Sequence, residues 1–265
     1  MAVPTPRPDP PIRRRRPPRF ATPILLVLAL LAGVTGVFAW LGSSGEPPPR
    51  RAAPPGFDVP ELDVRPGTVV PHQAVPGSAD TGWMGRVADK TDIPERMLRA
   101  YVAAETETLI RTPDCRLTWA TLAAIGRTES SHGRFRGAVI GPDGRLSPPV
   151  IGIPLDGSPG VRAIRDTDGG RLDGDVQWDR AVGAMQFLPV TWSRWSARAN
   201  GDGATPDPQN VDDAALSAAR YLCASGGDLG SPNGWWRAVL TYNRSNAYGR
   251  TVFSAADAYA RAATA

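Results

Sequence analysis

Apolar residues recur every three or four positions in six segments after residue 90, which is the spacing of one helix face. The predicted helices are 93–110, 118–132, 189–199, 211–224, 234–243 and 254–263. Residues 137–177 are instead rich in Gly, Pro and Asp and hold only short apolar pieces, so we predict loops with one or two short hairpins there. The pattern predicts a mainly α domain with one long irregular insertion. A loop of that length in a compact domain is usually functional.

A different hydrophobic pattern lies near the N-terminus. An uncharged stretch at 20–41 follows an arginine cluster at 13–16 and Arg19. As a helix it would be about 33 Å long, enough to cross a bilayer. Because positive residues stay on the cytoplasmic side, we predict a cytoplasmic tail over 1–19 and a single-pass anchor over 20–41. The rest of the chain then lies outside the cell membrane. A cleaved signal peptide is the alternative.

The segment that follows the predicted anchor is rich in proline. Seventeen of the 28 prolines in the whole chain lie within residues 1–76. Such a composition favours extended polyproline conformations over packed structure. We therefore predict a spacer over 42–80, with disorder as the alternative, and a folded domain over 81–265 that is long enough to bury a core.

The excess of positive over negative charge is confined to the first 20 residues of the chain. The net charge is +4, and these residues hold six arginines and one aspartate. The remainder of the chain therefore sums to −1. A folded domain without excess positive charge gives no reason to expect a surface that binds a nucleic-acid phosphate backbone. We predict no nucleic-acid partner.

Cys115 and Cys223 are the only cysteines, and both lie in the part of the chain predicted to be outside the cell. An isolated pair in an oxidising compartment is most simply a disulfide, and two buried free thiols are the alternative. The only histidines, His72 and His132, do not complete a structural zinc site of the usual kind with these cysteines. We expect His132 at the surface or at the edge of a cleft.

One segment is similar to the centre of a calcium-binding loop of the EF-hand type. It runs from Asn200 through Asp202 to Gly203, but Arg198 and Gln209 stand where that loop needs acidic residues. We therefore favour a plain turn over a calcium site at Asn200 and Asp202, and we predict no cofactor.

The helix predicted over 118–132 ends with a carboxylate on its apolar face. Leu122, Ile125 and Glu129 lie at positions i, i+3 and i+7 and share that face. Burial, and the negative end of the helix dipole, both raise the pKa of a carboxyl group. A carboxylic acid that stays protonated at neutral pH is what glycosidic cleavage needs. The alternative is that Glu129 only marks the solvent boundary of an amphipathic helix.

Three motifs around this residue resemble those of lytic transglycosylases, the lysozyme-like enzymes that cut peptidoglycan, and in particular the membrane-bound lytic transglycosylase B type. They are AIGRTESSHG at 124–133, GAMQFLPVTW at 183–192 and TYNRSNAY at 241–248. All three stand in the order of the family and with similar spacing. The resemblance covers about residues 81–265, and it implies a lysozyme-like fold and cleavage of glycan strands.

The resemblance also implies a role for each matching residue. Glu129 would be the catalytic acid and base, and the neighbouring Ser130 would orient it or contact substrate. The residues implied to line the sugar cleft are Met185, Gln186, Phe187, Tyr242, Asn243 and Tyr248. Core packing is the alternative for both tyrosines. Most tryptophans of the domain are expected in the core, with one or two beside the cleft.

The family mechanism uses one protein carboxylate, cleaves between N-acetylmuramic acid and N-acetylglucosamine, and leaves a 1,6-anhydro sugar. The nearest alternative is a hydrolytic muramidase, which needs a second carboxylate, for which Asp173, Asp175 and Asp179 are the candidates. The remaining alternative is a membrane-tethered glycan-binding scaffold without activity. Each of these predictions places the domain against the cell wall.

Overall fold

The computed structural model of the protein describes residues 56–73 and 82–264. Helices dominate them: α1 (Trp83–Lys90), α2 (Glu95–Arg111), α3 (Trp119–Ser130), α4 (Pro189–Trp195), α5 (Val211–Gly226), α6 (Pro232–Tyr242) and α7 (Asn246–Thr264). Short 3₁₀ turns cover Pro113–Cys115 and Phe135–Gly137. The mainly α prediction is confirmed, although α1 was missed and α7 begins eight residues before its predicted start.

The insertion between α3 and α4 is irregular, as its composition predicts. Its only ladder of two strands among the described residues pairs β1 (Val139–Ile140) antiparallel with β2 (Leu146–Ser147). Isolated bridges such as Ile151 to Val182 hold the remainder. The insertion therefore folds back onto the segment that leads into α4.

Helix α3 lies at the centre of the core, with α2 and α7 packed against it and α5 packed against α2. Every residue from Trp119 to Gly126 is buried, which fits a helix that is apolar on all sides. Thr118 caps its N-terminus by accepting a hydrogen bond from the backbone N–H of Thr121. Gly126 allows close packing, because a Cβ there would lie 1.8 Å from the hydroxyl of Tyr101.

A disulfide and an aromatic contact join peripheral segments of the domain to this core. A disulfide joins Cys115 to Cys223 with a Cα–Cα distance of 5.4 Å, as predicted from the isolated pair. Trp83 of α1 packs edge-on against Trp119 of α3, with the ring centroids 5.6 Å apart. The N-terminal end of the domain is therefore fixed to its central helix.

The segment over 56–73, here called the arm, packs along the domain. Phe57, Val59, Leu62 and Val64 lie against the buried core, and the ring of Phe57 stacks on Tyr259 at 5.2 Å. This corrects the prediction that the whole of 42–80 is a spacer. Apolar residues two or three positions apart give the arm one packing side, which the proline content obscured.

Four hydrogen bonds anchor the arm to three helices. The backbone N–H of Leu62 donates to Ser254 Oγ at 3.0 Å, and that of His72 donates to Asp257 Oδ1 at 2.9 Å. Trp236 Nε1 donates to the carbonyl of Val69, and Arg127 Nη2 donates to that of Phe57. The bonds to Ser254 and Asp257 are long-range in sequence, so sequence pattern alone did not predict them.

The predicted cytoplasmic tail, membrane anchor and first part of the spacer lie outside the described residues. Within 56–73 and 82–264, no helix has the length and apolar character needed to cross a membrane.

Candidate active site

Glu129 occupies the last turn of α3, where the buried helix meets the surface. The phenol hydroxyl of Tyr248, in the first turn of α7, donates a hydrogen bond of 2.7 Å to Glu129 Oε1. Burial raises the pKa of Glu129 to about 7, and the Tyr248 hydrogen bond opposes that rise because it favours the ionised form. Near neutral pH the carboxyl group can therefore both hold and release a proton.

Tyr242 lies beside this pair at the end of α6. Its hydroxyl donates to the carbonyl of Met185 at 2.7 Å. Burial raises its pKa far above the ordinary value, and the negative charge of Glu129 acts in the same direction. The next residue, Asn243, caps α6 and is exposed. The third motif thus brings two tyrosines to Glu129 and leaves the Asn243 side chain at the surface beside them.

Ser130 has a structural position that the motif did not reveal. Its side chain is buried, and its hydroxyl donates to the carbonyl of Ala184 at 2.5 Å while accepting from the backbone N–H of Gly133 at 2.7 Å. Both hydrogen bonds point into the protein. Ser130 is therefore not placed to contact substrate, as the resemblance implied. Ser130 instead fastens the end of α3, and with it Glu129, to the second motif.

The chain leaves α3 through three successive left-handed residues. Ser131, His132 and Gly133 have φ values of 51°, 60° and 80°, and two of them are not glycine. Such conformations cost on the order of 1–3 kcal/mol each and cluster at functional sites. The abrupt exit ends the helix one residue after Glu129.

The second motif forms a tight turn next to Ala184. Gln186 has a φ of 48° and donates from Nε2 to the carbonyl of Gly183 at 3.0 Å. Gly183 is required at φ 77°, because a Cβ would meet the carbonyl of Pro208 at 1.9 Å. The Gln186 side chain is half-buried and stabilises its own turn.

Met185 and Phe187, predicted to touch a sugar face, are buried in the core. Phe187 packs edge-on against Trp192 and Tyr242 at 5.3 and 6.0 Å. A motif cannot show which side of a tight turn a side chain takes, and here both neighbours of Gln186 turn inward. Their role is to support Tyr242 from behind.

His132 is fully buried, which corrects the expectation of a surface position. Tyr101 contacts its Nδ1 at 3.2 Å and Tyr259 contacts its Nε2 at 2.9 Å. Tyr259 in turn donates to Asp92 Oδ1 at 2.9 Å, and Arg127 Nη1 donates to Asp92 Oδ2 at 2.7 Å.

These five side chains form a partly buried polar network at the end of α3. Burial lowers the pKa of His132, although Asp92 opposes this, and so burial favours the neutral imidazole. Burial alone would raise the pKa of Asp92, but the hydrogen bonds from Tyr259 and Arg127 and the nearby His132 ring hold it well below its usual range. The network fixes the turn after Glu129 and joins it to the arm through Arg127.

The candidates for a second carboxylate are engaged elsewhere in the insertion. Asp179 is fully buried and accepts from the backbone N–H of Thr167 at 2.8 Å and from its hydroxyl. Asp173 accepts from the backbone N–H of Arg180, and Asp175 pairs with the Arg180 guanidinium at 2.9 Å. Among the described residues, only burial and Tyr248 act on the pKa of Glu129.

The segment from Asn200 to Gly203 forms a turn closed by its own side chains. Arg198 donates to both oxygens of Asp202 at 2.8 and 2.7 Å, and Asn200 Nδ2 donates to the same carboxylate. Arg198 also pairs with the buried Asp213. Arg198 thus forms hydrogen bonds with both oxygens of the Asp202 carboxylate, which a calcium ion would need as ligands. In the part of the chain that the structure describes, no group of three or more His, Cys, Asp or Glu is arranged to hold a metal.

An aromatic row extends from the site, and sequence reasoning missed one of its members. The ring centroids of Tyr242 and Tyr221 are 5.6 Å apart, and those of Tyr221 and Trp195 are 5.7 Å apart. All three are partly exposed, whereas Trp119, Trp192, Trp235 and Trp236 are buried. Tyr221 lies within α5, where its spacing matches that of the helix's core residues and gave no separate signal.

The comparisons with known proteins give two similar solved structures. No family model matches the sequence, and no curated protein matches it. One similar structure is the Escherichia coli lytic transglycosylase Slt35 in complex with bulgecin A, at 14% identity and a TM-score of 0.41, covering 71% of this chain and 82% of that one. The other is Slt35 in complex with calcium, at 14% identity and a TM-score of 0.39, covering 71% and 81%.

Proposed function

We propose that this protein is a peptidoglycan lytic transglycosylase that cleaves the β-1,4 bond between N-acetylmuramic acid and N-acetylglucosamine. The observation that carries the proposal is the pairing of Glu129 with Tyr248 at the end of a buried helix. It supports a carboxyl group that holds a proton near neutral pH. The three sequence motifs that resemble this family converge on that pair.

The reaction would use Glu129 twice. As an acid it donates its proton to the glycosidic oxygen, so that the bond from this oxygen to C1 of the muramyl sugar breaks and N-acetylglucosamine leaves with a free 4-hydroxyl. The N-acetyl oxygen of the substrate stabilises the cation that develops at C1. Glu129, now ionised, takes the proton of the 6-hydroxyl while O6 bonds to C1. The products are a 1,6-anhydro end and a reprotonated Glu129, with no water consumed.

Tyr248 has a defined part in this cycle. Its hydroxyl donates to Glu129 Oε1, which stabilises the ionised carboxylate between the two proton transfers. A single carboxylate that alternates between acid and base is best served by a pKa near the working pH. Burial and the Tyr248 bond act in opposite directions and set such a value.

Cell-wall location belongs to the same proposal. An anchor over 20–41 with the domain outside the membrane would bring Glu129 to the glycan strands, as in remodelling of the wall. Protease added to wall-permeabilised cells should then remove the domain and leave residues 1–19 protected. Recovery of the intact protein from the cytosol would contradict this location.

Mass spectrometry of the products tests the reaction. Purified residues 56–265 should release muropeptides whose muramyl ends are lighter by one water and resist reduction by borohydride. Reducible ends as the main product would mean hydrolysis. Asp179 would then be the first residue to replace in testing for a second catalytic carboxylate. Binding of glycan without any product would instead favour a scaffold.

A further inference from the structure

Two arginines stand beside the aromatic row without a carboxylate partner. Arg194 of α4 lies over the ring of Trp195, with Cζ 5.2 Å from the centroid. Arg244 follows Asn243 in the turn between α6 and α7. Both are exposed, and among the described residues neither forms a salt bridge, unlike Arg198, which pairs with Asp202 and Asp213.

The positive charges of both arginines act on Tyr221, the middle ring of the row. Burial raises the pKa of Tyr221, and the positive charges of Arg244 and then Arg194 oppose that rise. The hydroxyl of Tyr221 donates to the carbonyl of Thr241 at 3.3 Å, which holds the ring against the end of α6. Arg194, on α4, and Arg244, in the turn after α6, therefore both lie close enough to this ring for their charges to act on it.

The far end of the row opens onto a separate cavity. Arg220 Nη1 donates to the carbonyl of Ser196 at 2.9 Å and also contacts that of Trp195, which fixes the end of α4. Trp195 and Arg220 form part of the lining of a cavity of about 980 Å³. Glu129 does not line this cavity, so the row leads from the reacting carboxyl group to a separate space.

We infer that Arg194 and Arg244 bind the acidic peptide carried by the N-acetylmuramic acid residues of the glycan strand, with Tyr221 and Trp195 as the surface under it. This inference rests on the proposed function, because it identifies which form of the glycan the site prefers. Flat rings accept apolar and sugar C–H faces, and unpaired guanidinium groups bind carboxylates with two parallel hydrogen bonds. Charge complementarity and continuity with Glu129 select this occupant.

Binding measurements in a Glu129→Gln background test the inference without turnover. Two probes are needed, a muramyl glycan that carries its peptides and the same glycan stripped of them by an amidase. We expect the peptide-bearing glycan to bind about tenfold more tightly. Arg194→Gln with Arg244→Gln should remove that preference and leave the affinity for the stripped glycan within about twofold of its starting value. The preference should also weaken as salt rises.

Two further variants separate charge from structure. Arg194→Lys with Arg244→Lys keeps both charges and should keep most of the preference. Arg99→Gln with Arg261→Gln removes the same charge from two exposed arginines that pair within their own helices, α2 and α7, and should change neither affinity. Equal binding of both glycans by the parent protein, or an equal loss on both glycans in the double Gln variant, would overturn the inference. Failure of the proposed function is recognised separately, as an absence of anhydro ends with active-site residues intact.

Discussion

The hydroxyl of Tyr248 lies 2.7 Å from Oε1 of Glu129 and donates to it across the contact between α7 and α3. This bond lowers the pKa of Glu129 against the larger effect of burial. In Tyr248→Phe the pKa of Glu129 should therefore rise above about 7. A general acid that keeps its proton longer moves the alkaline limb of kcat/KM to higher pH, by about one unit for a hydrogen bond to a charged group.

The pH profile of kcat/KM measures this shift, and Tyr242→Phe is the matched control. Tyr242 donates to the carbonyl of Met185 and not to Glu129. The alkaline limb of kcat/KM for Tyr242→Phe should therefore stay at the same pH, even if the rate of this variant falls. An unchanged limb in Tyr248→Phe would mean that the hydrogen bond does not set the acid's pKa.

A second buried carboxyl group gives a prediction about stability. Glu105 of α2 is 3% exposed, and within the described residues its Oε2 has no hydrogen-bond partner. Burial raises its pKa to about 8, although the backbone N–H of Trp119 opposes this. Because the folded pKa exceeds the unfolded value, the folded state binds more protons, and stability is lost as pH rises from about 4.5 to about 8.

At about 1.4 kcal/mol per pKa unit the loss is on the order of 5 kcal/mol. Urea unfolding at pH 5 and pH 9 should show that Glu105→Gln loses much less free energy of unfolding over this range than the parent protein does. Glu95→Gln, on the exposed side of the same helix, should follow the parent curve. Parallel curves for Glu105→Gln and the parent would contradict a neutral buried Glu105.

The arm should contribute measurably to the stability of the domain. Phe57→Ala removes a ring stacked on Tyr259 and should lower the free energy of unfolding by about 1–2 kcal/mol. Val69→Ala, whose side chain is 42% exposed, is the control and should change it by less than about 0.5 kcal/mol. A chain that starts at residue 74 should melt below one that starts at 56, and equal melting temperatures would show that the arm is dispensable.

The disulfide closes a loop with a sequence separation of 108 residues. In the chain-entropy model a loop of that length stabilises the folded state by about 4–5 kcal/mol. Reductant should therefore lower the melting temperature of the parent protein and leave that of Cys115→Ser with Cys223→Ser unchanged. Alkylation of both thiols in protein isolated without reductant would count against the bridge.

Sequence patterns predicted most helices because α2, α3, α5 and α6 bury apolar faces at helical spacing. They missed α1, where only Trp83 and Val87 are buried in an eight-residue helix, and they missed the arm. The structure brings together Glu129, Tyr242 and Tyr248, which the motifs had singled out. They misplaced Ser130, Met185 and Phe187, because a motif gives the order of residues and not the side of a turn that each side chain takes.

The polar network at the end of α3 shows a second limit. Asp92, in the connection after α1, and Tyr259 are 167 residues apart and meet because α7 packs against α1 as well as α3. Nothing local marks His132 as buried, since its neighbours Ser131 and Gly133 are typical of an exposed turn. Pairings of this kind depend on tertiary packing, which periodicity does not encode.

The rate of Glu129→Gln on purified peptidoglycan tests the central claim most directly. The amide keeps the shape of the side chain and its hydrogen bond with Tyr248 but cannot deliver a carboxylic-acid proton, so turnover should fall by at least about 10²-fold. Glycan binding should persist, and the melting temperature should not fall, because the variant no longer carries an ionisable buried group. Full activity in Glu129→Gln with an intact fold would contradict the assignment of the site.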